Sequence, residues 1–153
     1  MRKFEKISLE QFEKDVEKNE QLYNEIKMPA RETSNAAGYD FFAIYDDVLM
    51  PGEIKKIPTG IKASMENDEV LLLIDRSGMG FKYNVRMCNQ VGVIDSDYYN
   101  NSGNEGHIWI KLQNEGKEKF EIKKGEGIIQ GIFAKYLTTD DETKNFVERK
   151  SNY

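Results

Sequence analysis

The chain lacks the residues that would build a disulfide framework, a zinc centre or an export signal. Its 153 residues include one cysteine and one histidine, so no internal disulfide can form and a zinc site lacks its usual ligands. That usage fits a reducing, cytoplasmic setting. Cys88, beside an apolar run, reads as a small buried hydrophobe. No window approaches the roughly 18 consecutive apolar residues of a membrane span. The N-terminus, MRKFEKISLEQF, carries charges where a signal peptide would be apolar. We therefore expect a soluble, unexported protein with no membrane partner. There is no basic excess either: 22 Lys and Arg stand against 27 Asp and Glu, a formal charge of −5. This argues against a broad basic face for nucleic acid, so any bound phosphate must be held locally.

What is present is enough for one domain with one core, since hydrophobic residues make up 39% of the chain and aromatics 11%. KFEKIS reads as a short edge strand, and Ser8 with Gln11 as a capping box opening a helix. Leu9, Phe12, Val16, Tyr23 and Ile26 then share one face of an amphipathic helix that Pro29 ends. Its polar face mixes Glu and Lys, which favours packing on the domain over a membrane surface. Beyond Pro29 come short apolar runs: YDFFAI, EIKKIPTGIKASM, EVLLLIDR, NVRMCN, QVGVID, HIWIKLQN, EKFEIKKG and IIQGIFAKYL. Turns such as PGE, PTG, SGMG, NNSGNEG and KKGEG separate them, and no βαβ alternation occurs. The expected fold is all-β, with one N-terminal amphipathic helix. Residues 1–28 form an extension packed on the body, 29–137 the β domain, and 138–153 a polar, loosely held tail.

Four motifs place polar groups suited to a charged ligand at a strand end or a glycine turn. AAGYDFFA sets Asp40 at the start of an apolar strand, where an Asp by itself reads as a turn cap. DRSGMG follows the apolar run VLLLI and offers a guanidinium, a hydroxyl and exposed backbone N–H groups, although Arg–Ser–Gly alone is a common tripeptide. NQVGVIDSDYY ends a strand at Asp95, which either caps a hairpin or stands as a carboxylate on a rigid edge. KKGEGIIQ sets Gln130 in an apolar strand where a hydrophobe would be expected.

In this order and spacing the four motifs resemble the signature blocks of the trimeric dUTP pyrophosphatases (dUTPases). The match runs without a gap from Arg76 to Tyr98 and extends over about Met28 to Tyr136. The resemblance implies a distorted jelly-roll-like β-barrel, a homotrimer with shared active sites, and hydrolysis of dUTP to dUMP and pyrophosphate with Mg2+. It implies that Asp95 activates the attacking water and that Asp40 holds the metal through its water ligands. Arg76, Ser77 and Gly78 would bind phosphate, and Gln130 would reach a phosphate oxygen. Asn89 would meet the uracil edge, with the backbone of Val93 and Ile94 and the residues Ile108 and Trp109 lining the pocket. Tyr98 would pack beneath the deoxyribose and leave no room for a 2′-hydroxyl, while Tyr99 faces the other way.

The chain departs from the family pattern in three places. Gly127 stands where the fourth block carries a basic residue. The ending ERKSNY has no glycine-phenylalanine arm, and Arg149 is the candidate for the arm's arginine. The third departure is the N-terminal helix. These features, with the long 100–107 hairpin, leave room for a second reading in which a regulatory protein partner is engaged by a dUTPase body. A dCTP deaminase, which shares the Arg–Ser block, is a further alternative, but its third block differs from SDYY.

Overall fold

The computed structural model describes residues 1–151. In chain order these form β1 (Lys3–Lys6), α1 (Leu9–Asp15), α2 (Glu20–Asn24), β2 (Tyr39–Phe42), β3 (Asp47–Leu49), β4 (Ile54–Pro58), β5 (Ile61–Ser64), β6 (Glu69–Ile74), β7 (Val85–Met87), β8 (Gly92–Asp95), β9 (Trp109–Asn114), β10 (Phe120–Ile122) and β11 (Gly127–Lys135). Strand pairing is antiparallel throughout the named strands. A four-stranded sheet runs β2-β11-β6-β8 and a three-stranded sheet β4-β9-β7, with the pairs β1-β5 and β10-β3 beside them. The architecture is mostly β and jelly-roll-like, built of several small antiparallel sheets.

Side-chain alternation sets the faces. Along β9, Ile110, Leu112 and Asn114 are buried while Lys111 is exposed, the period of two expected of a strand with one wet face. Phe41, Leu71, Leu73 and Ile129 from the four-stranded sheet meet Phe12 of α1 in the core. No helix among the described residues is long and apolar enough to cross a membrane.

Three local expectations change. The single helix expected over residues 9–26 is two, because the Asn19 side chain accepts from the Leu22 N–H at 3.0 Å and starts a second helix. Phe12 and Ile26 still reach the core. Ser8 caps α1 by accepting from the Gln11 N–H at 3.1 Å. The Ser8 N–H, however, goes to Glu105 and not to Gln11, so only half of a capping box forms. The glycine turn after Arg76 continues into a π-helical turn, Met79–Tyr83, closed by Asn84 in the left-handed conformation at φ 56°. β3 is hidden in sequence because DVL is only three residues long and runs straight into the turn at Pro51 and Gly52; it forms by pairing with β10.

The extension is integral to the body. β1 pairs with β5, the buried Glu69 receives Arg2, and Lys6 and Tyr23 tie β1 to α2. The described part of the tail, residues 138–151, forms no strand or helix, yet Arg149 and Ser151 are half-buried, whereas most of it is exposed. Asn152 and Tyr153 of the expected tail lie outside the described residues.

Candidate active site

The sheet β2-β11-β6 brings the first, second and fourth motifs to one end. Gln130 on β11 stands opposite Asp40 on β2 and Ile74 on β6, so Asp40, Gln130 and the chain leaving β6 at Asp75 and Arg76 are neighbours. Arg76 donates through Nε to Asp40 Oδ1 at 3.1 Å and through Nη1 to the Gly127 carbonyl at 2.9 Å. Here the departure at Gly127 gains a structural reason. A Cβ at that position would lie 2.8 Å from Arg76 Cζ, so bare backbone lets the guanidinium lie across β11. Gln130 is held in the same way: its Nε2 donates to the Asp75 carbonyl at 2.9 Å, and a Cβ on Gly38 would meet its Oε1 at 2.2 Å. Asp75 accepts from the Met87 N–H at 3.0 Å. Its pKa is raised by burial, with the Met87 hydrogen bond acting in the opposite direction.

Asp40, Arg76, Ser77, Gly78 and Gln130 line one open cavity of about 720 Å³. Lys82, Lys119 and Lys123 stand on its walls as well. Sequence reasoning missed these lysines, because they lie outside the motif blocks and only folding brings β10 and the π-helical turn to this rim. The cavity's donors are a guanidinium, an amide, a hydroxyl and ammonium groups, which suit a polyphosphate. Among the described residues no group of three or more His, Cys, Asp or Glu could cage a bare metal ion. Asp40 lines the cavity with Glu32, Glu121 and Glu126, carboxylates of the kind that hold a hydrated Mg2+, an ion that keeps several waters and takes further oxygen ligands from phosphates.

The third motif lies elsewhere. Asn89 and Trp109 line a smaller cavity of about 220 Å³ with Met87, Cys88, Gly92 and Ile110. Cys88 is thus half-exposed on a cavity wall and not a core residue. Ile94 and Ile108 are buried in the core and the Val93 side chain points outward, 60% exposed. Tyr98 is buried and Tyr99 is half-buried on another side, its hydroxyl donating to Glu5 Oε2 at 2.7 Å. Asp95 ends β8 with its carboxylate partly exposed and paired with Arg149, which also donates through Nε to Asp97 at 2.9 Å. The Arg149 pKa is raised, chiefly by Asp97.

The register separates Asp95 from the donors that line the larger cavity. Asp95 lies opposite Val70 on β6, whereas Gln130 lies opposite Ile74. Those four residues span about 13 Å along the strand, and Arg76 follows two residues later. A base and an anion clamp acting on one phosphorus need to be within a few ångströms of it. Within one chain they stand at opposite ends of the sheet.

The model of the dUTPase family matches residues 24–153. A deoxyuridine 5′-triphosphate nucleotidohydrolase from Lactococcus lactis subsp. lactis is 45% identical over 129 residues, covering 84% of this chain and 86% of that protein. Another from Nautilia profundicola is 39% identical over 117 residues, covering 76% and 78%. The crystal structure of a dUTPase from Streptococcus mutans superposes with a TM-score of 0.73 at 39% identity, covering 90% of this chain and 98% of that one.

Proposed function

The chain belongs to the dUTPase family, and from that premise we propose that it hydrolyses dUTP to dUMP and pyrophosphate at a site built from more than one copy of itself. Water attacks the α-phosphorus, its proton passes to the Asp95 carboxylate, and pyrophosphate leaves with the electron pair of the broken P–O bond. Arg76, Ser77, the Gly78 backbone and Gln130 bind the phosphates and offset the charge that develops on them. Asp40 would hold a hydrated Mg2+, which would supply further charge neutralisation and so let an acidic protein bind a polyanion. Asn89 meets the uracil edge beside Trp109, and the Tyr98 ring occupies the volume a ribose 2′-hydroxyl would need.

The observation that carries the assembly is the register along β6. With Asp95 and Gln130 at different ends of the sheet, a complete site requires Asp95 from one copy and the phosphate cavity from another. A homotrimer satisfies this with closed symmetry. The test is pyrophosphate release from dUTP, UTP, dCTP and dTTP with and without Mg2+. The reading requires hydrolysis selective for dUTP and a sharp loss when the metal is chelated. Ammonia release from dCTP, or equal turnover of all four nucleotides, would overturn it.

A further inference from the structure

The 100–107 segment reads in sequence as a long hairpin, and it is a closed loop around two asparagines. Asn104 uses every hydrogen-bonding position its amide has. Its Nδ2 donates to the Tyr98 hydroxyl at 2.7 Å and to the His107 carbonyl at 3.2 Å, and its Oδ1 accepts from Asn101 Nδ2 at 2.9 Å and the Gly106 N–H at 3.1 Å. Asn101 is equally complete. Its Nδ2 donates to the Tyr98 carbonyl at 2.8 Å as well as to Asn104, and its Oδ1 accepts from the N–H groups of Gly103 at 2.9 Å and Asn104 at 3.1 Å. Backbone N–H groups can only donate, so neither amide can be turned around. The Tyr98 hydroxyl in turn donates to the His107 carbonyl at 2.9 Å. Gly106 closes the loop at φ +90°, where a Cβ would lie 2.8 Å from the Tyr98 carbonyl.

The loop is clamped from outside by the N-terminal extension. Glu105 accepts from the Ser8 N–H and hydroxyl, both at 2.6 Å, and pairs with Lys62 at 2.9 Å. His107, fully buried, accepts from the Gly60 N–H through Nε2 at 2.9 Å. Its proton therefore sits on Nδ1, facing Asp15 Oδ2 at 2.6 Å.

We infer that Asn104 is a positioning residue for sugar selection: through the Tyr98 hydroxyl it fixes the ring against which deoxyribose and ribose are told apart. The inference rests on the reading of Tyr98 given above. A ring held at its hydroxyl by Asn104, by the His107 carbonyl and by the Ser151 side chain has one tilt, and discrimination against one extra oxygen depends on that tilt. Without Asn104 the ring loses the donor that the loop supplies, keeps the tail's Ser151 and the His107 carbonyl, and can swing to admit a 2′-hydroxyl. The extension and the loop are then one support, not two decorations.

The experiment is a cycle of Asn104→Ala, Tyr98→Phe and the double variant, with Tyr98→Ala alongside. kcat/KM for dUTP and for UTP is measured on each, and thermal melting monitors the fold. Asn104→Ala should lower the dUTP-over-UTP preference on the order of tenfold, the scale of one lost hydrogen bond, mainly through better use of UTP. The same loss should appear in Tyr98→Phe and should not deepen in the double variant. Tyr98→Phe, which removes the same hydrogen bond and leaves the Asn104 contacts to Asn101 and Gly106 in place, serves if Asn104→Ala fails to fold. An unchanged preference in the Asn104 variants, with Tyr98→Ala relaxed, overturns the inference and leaves the reading of Tyr98 standing. Full additivity in the double variant also overturns it. An unchanged preference in Tyr98→Ala removes the reading and the inference together.

Discussion

The phosphate cavity and the loop behind Tyr98 solve opposite problems. In the cavity, polar groups are positioned but keep a face open to solvent: Arg76 is over a third exposed, its partner Asp40 is partly so, and lysines stand on the rim. Such pairs exchange readily for a phosphate or a hydrated cation, because an exposed ion pair contributes little stability. In the loop the amides of Asn101 and Asn104 are buried and have every donor and acceptor matched. Breaking that network exposes no useful group and leaves unpaired ones inside the protein. One region is built to change partners and the other to keep them. Charge neutralisation thus belongs to the first and shape selection to the second.

The largest effect expected is on chemistry. Asp95→Asn should reduce turnover by a factor on the order of 10² or more while dUTP binding stays near its original level, read by single-turnover kinetics and equilibrium binding. Unchanged turnover would remove the carboxylate from the mechanism. Next comes the cavity. Gly127→Ala sets a methyl group where Arg76 lies, so KM for dUTP should rise on the order of tenfold with the melting temperature nearly unmoved. The loop should give the reverse pattern. Asn101→Ala leaves the Gly103 and Asn104 N–H groups without their acceptor and should cost about 1–3 kcal/mol in denaturant unfolding. If Gly127→Ala destabilises the fold as much as Asn101→Ala does, the contrast between the two regions fails.

The smallest effect is the dependence on pH. Burial lowers the His107 pKa against the pull of Asp15, so the folded chain holds fewer protons there than the unfolded one. This contribution to stability is complete above the ordinary imidazole value of about 6.5 and is lost as pH falls below it. The melting temperature should therefore drop more steeply between about pH 7 and pH 5.5 for the parent than for His107→Gln. Equal slopes would show that His107 does not titrate on unfolding.

The apolar runs made most strands readable, because period-two alternation and glycine turns are local signals. The four motifs were equally readable, since each keeps its chemistry within a dozen residues. What escaped the sequence was non-local. The break after α1 depends on Asn19 outcompeting a continuous apolar face. The fit of Arg76 over Gly127 joins positions 51 residues apart in the chain. Ser8 and Glu105, 97 residues apart, show why the extension and the hairpin read as unrelated features. NNSGN advertised a turn, and nothing in its spacing disclosed that both amides would face inward. The backbone of Val93 and Ile94 is expected to line the base pocket, together with Ile108 and Trp109; the structure exposes the Val93 side chain, buries those of Ile94 and Ile108, and sets Trp109 beside Asn89 on a cavity wall.

Co-assembly of Asp95→Asn chains with Arg76→Ala chains tests the central claim directly. Each variant alone lacks one end of the site, while a mixed oligomer pairs an intact carboxylate from one copy with an intact phosphate cavity from another. If sites are shared, pyrophosphate release from dUTP returns on mixing under conditions that let subunits exchange. Mixed oligomers, verified by differential tagging, that stay as inactive as the parents would contradict a site divided between copies.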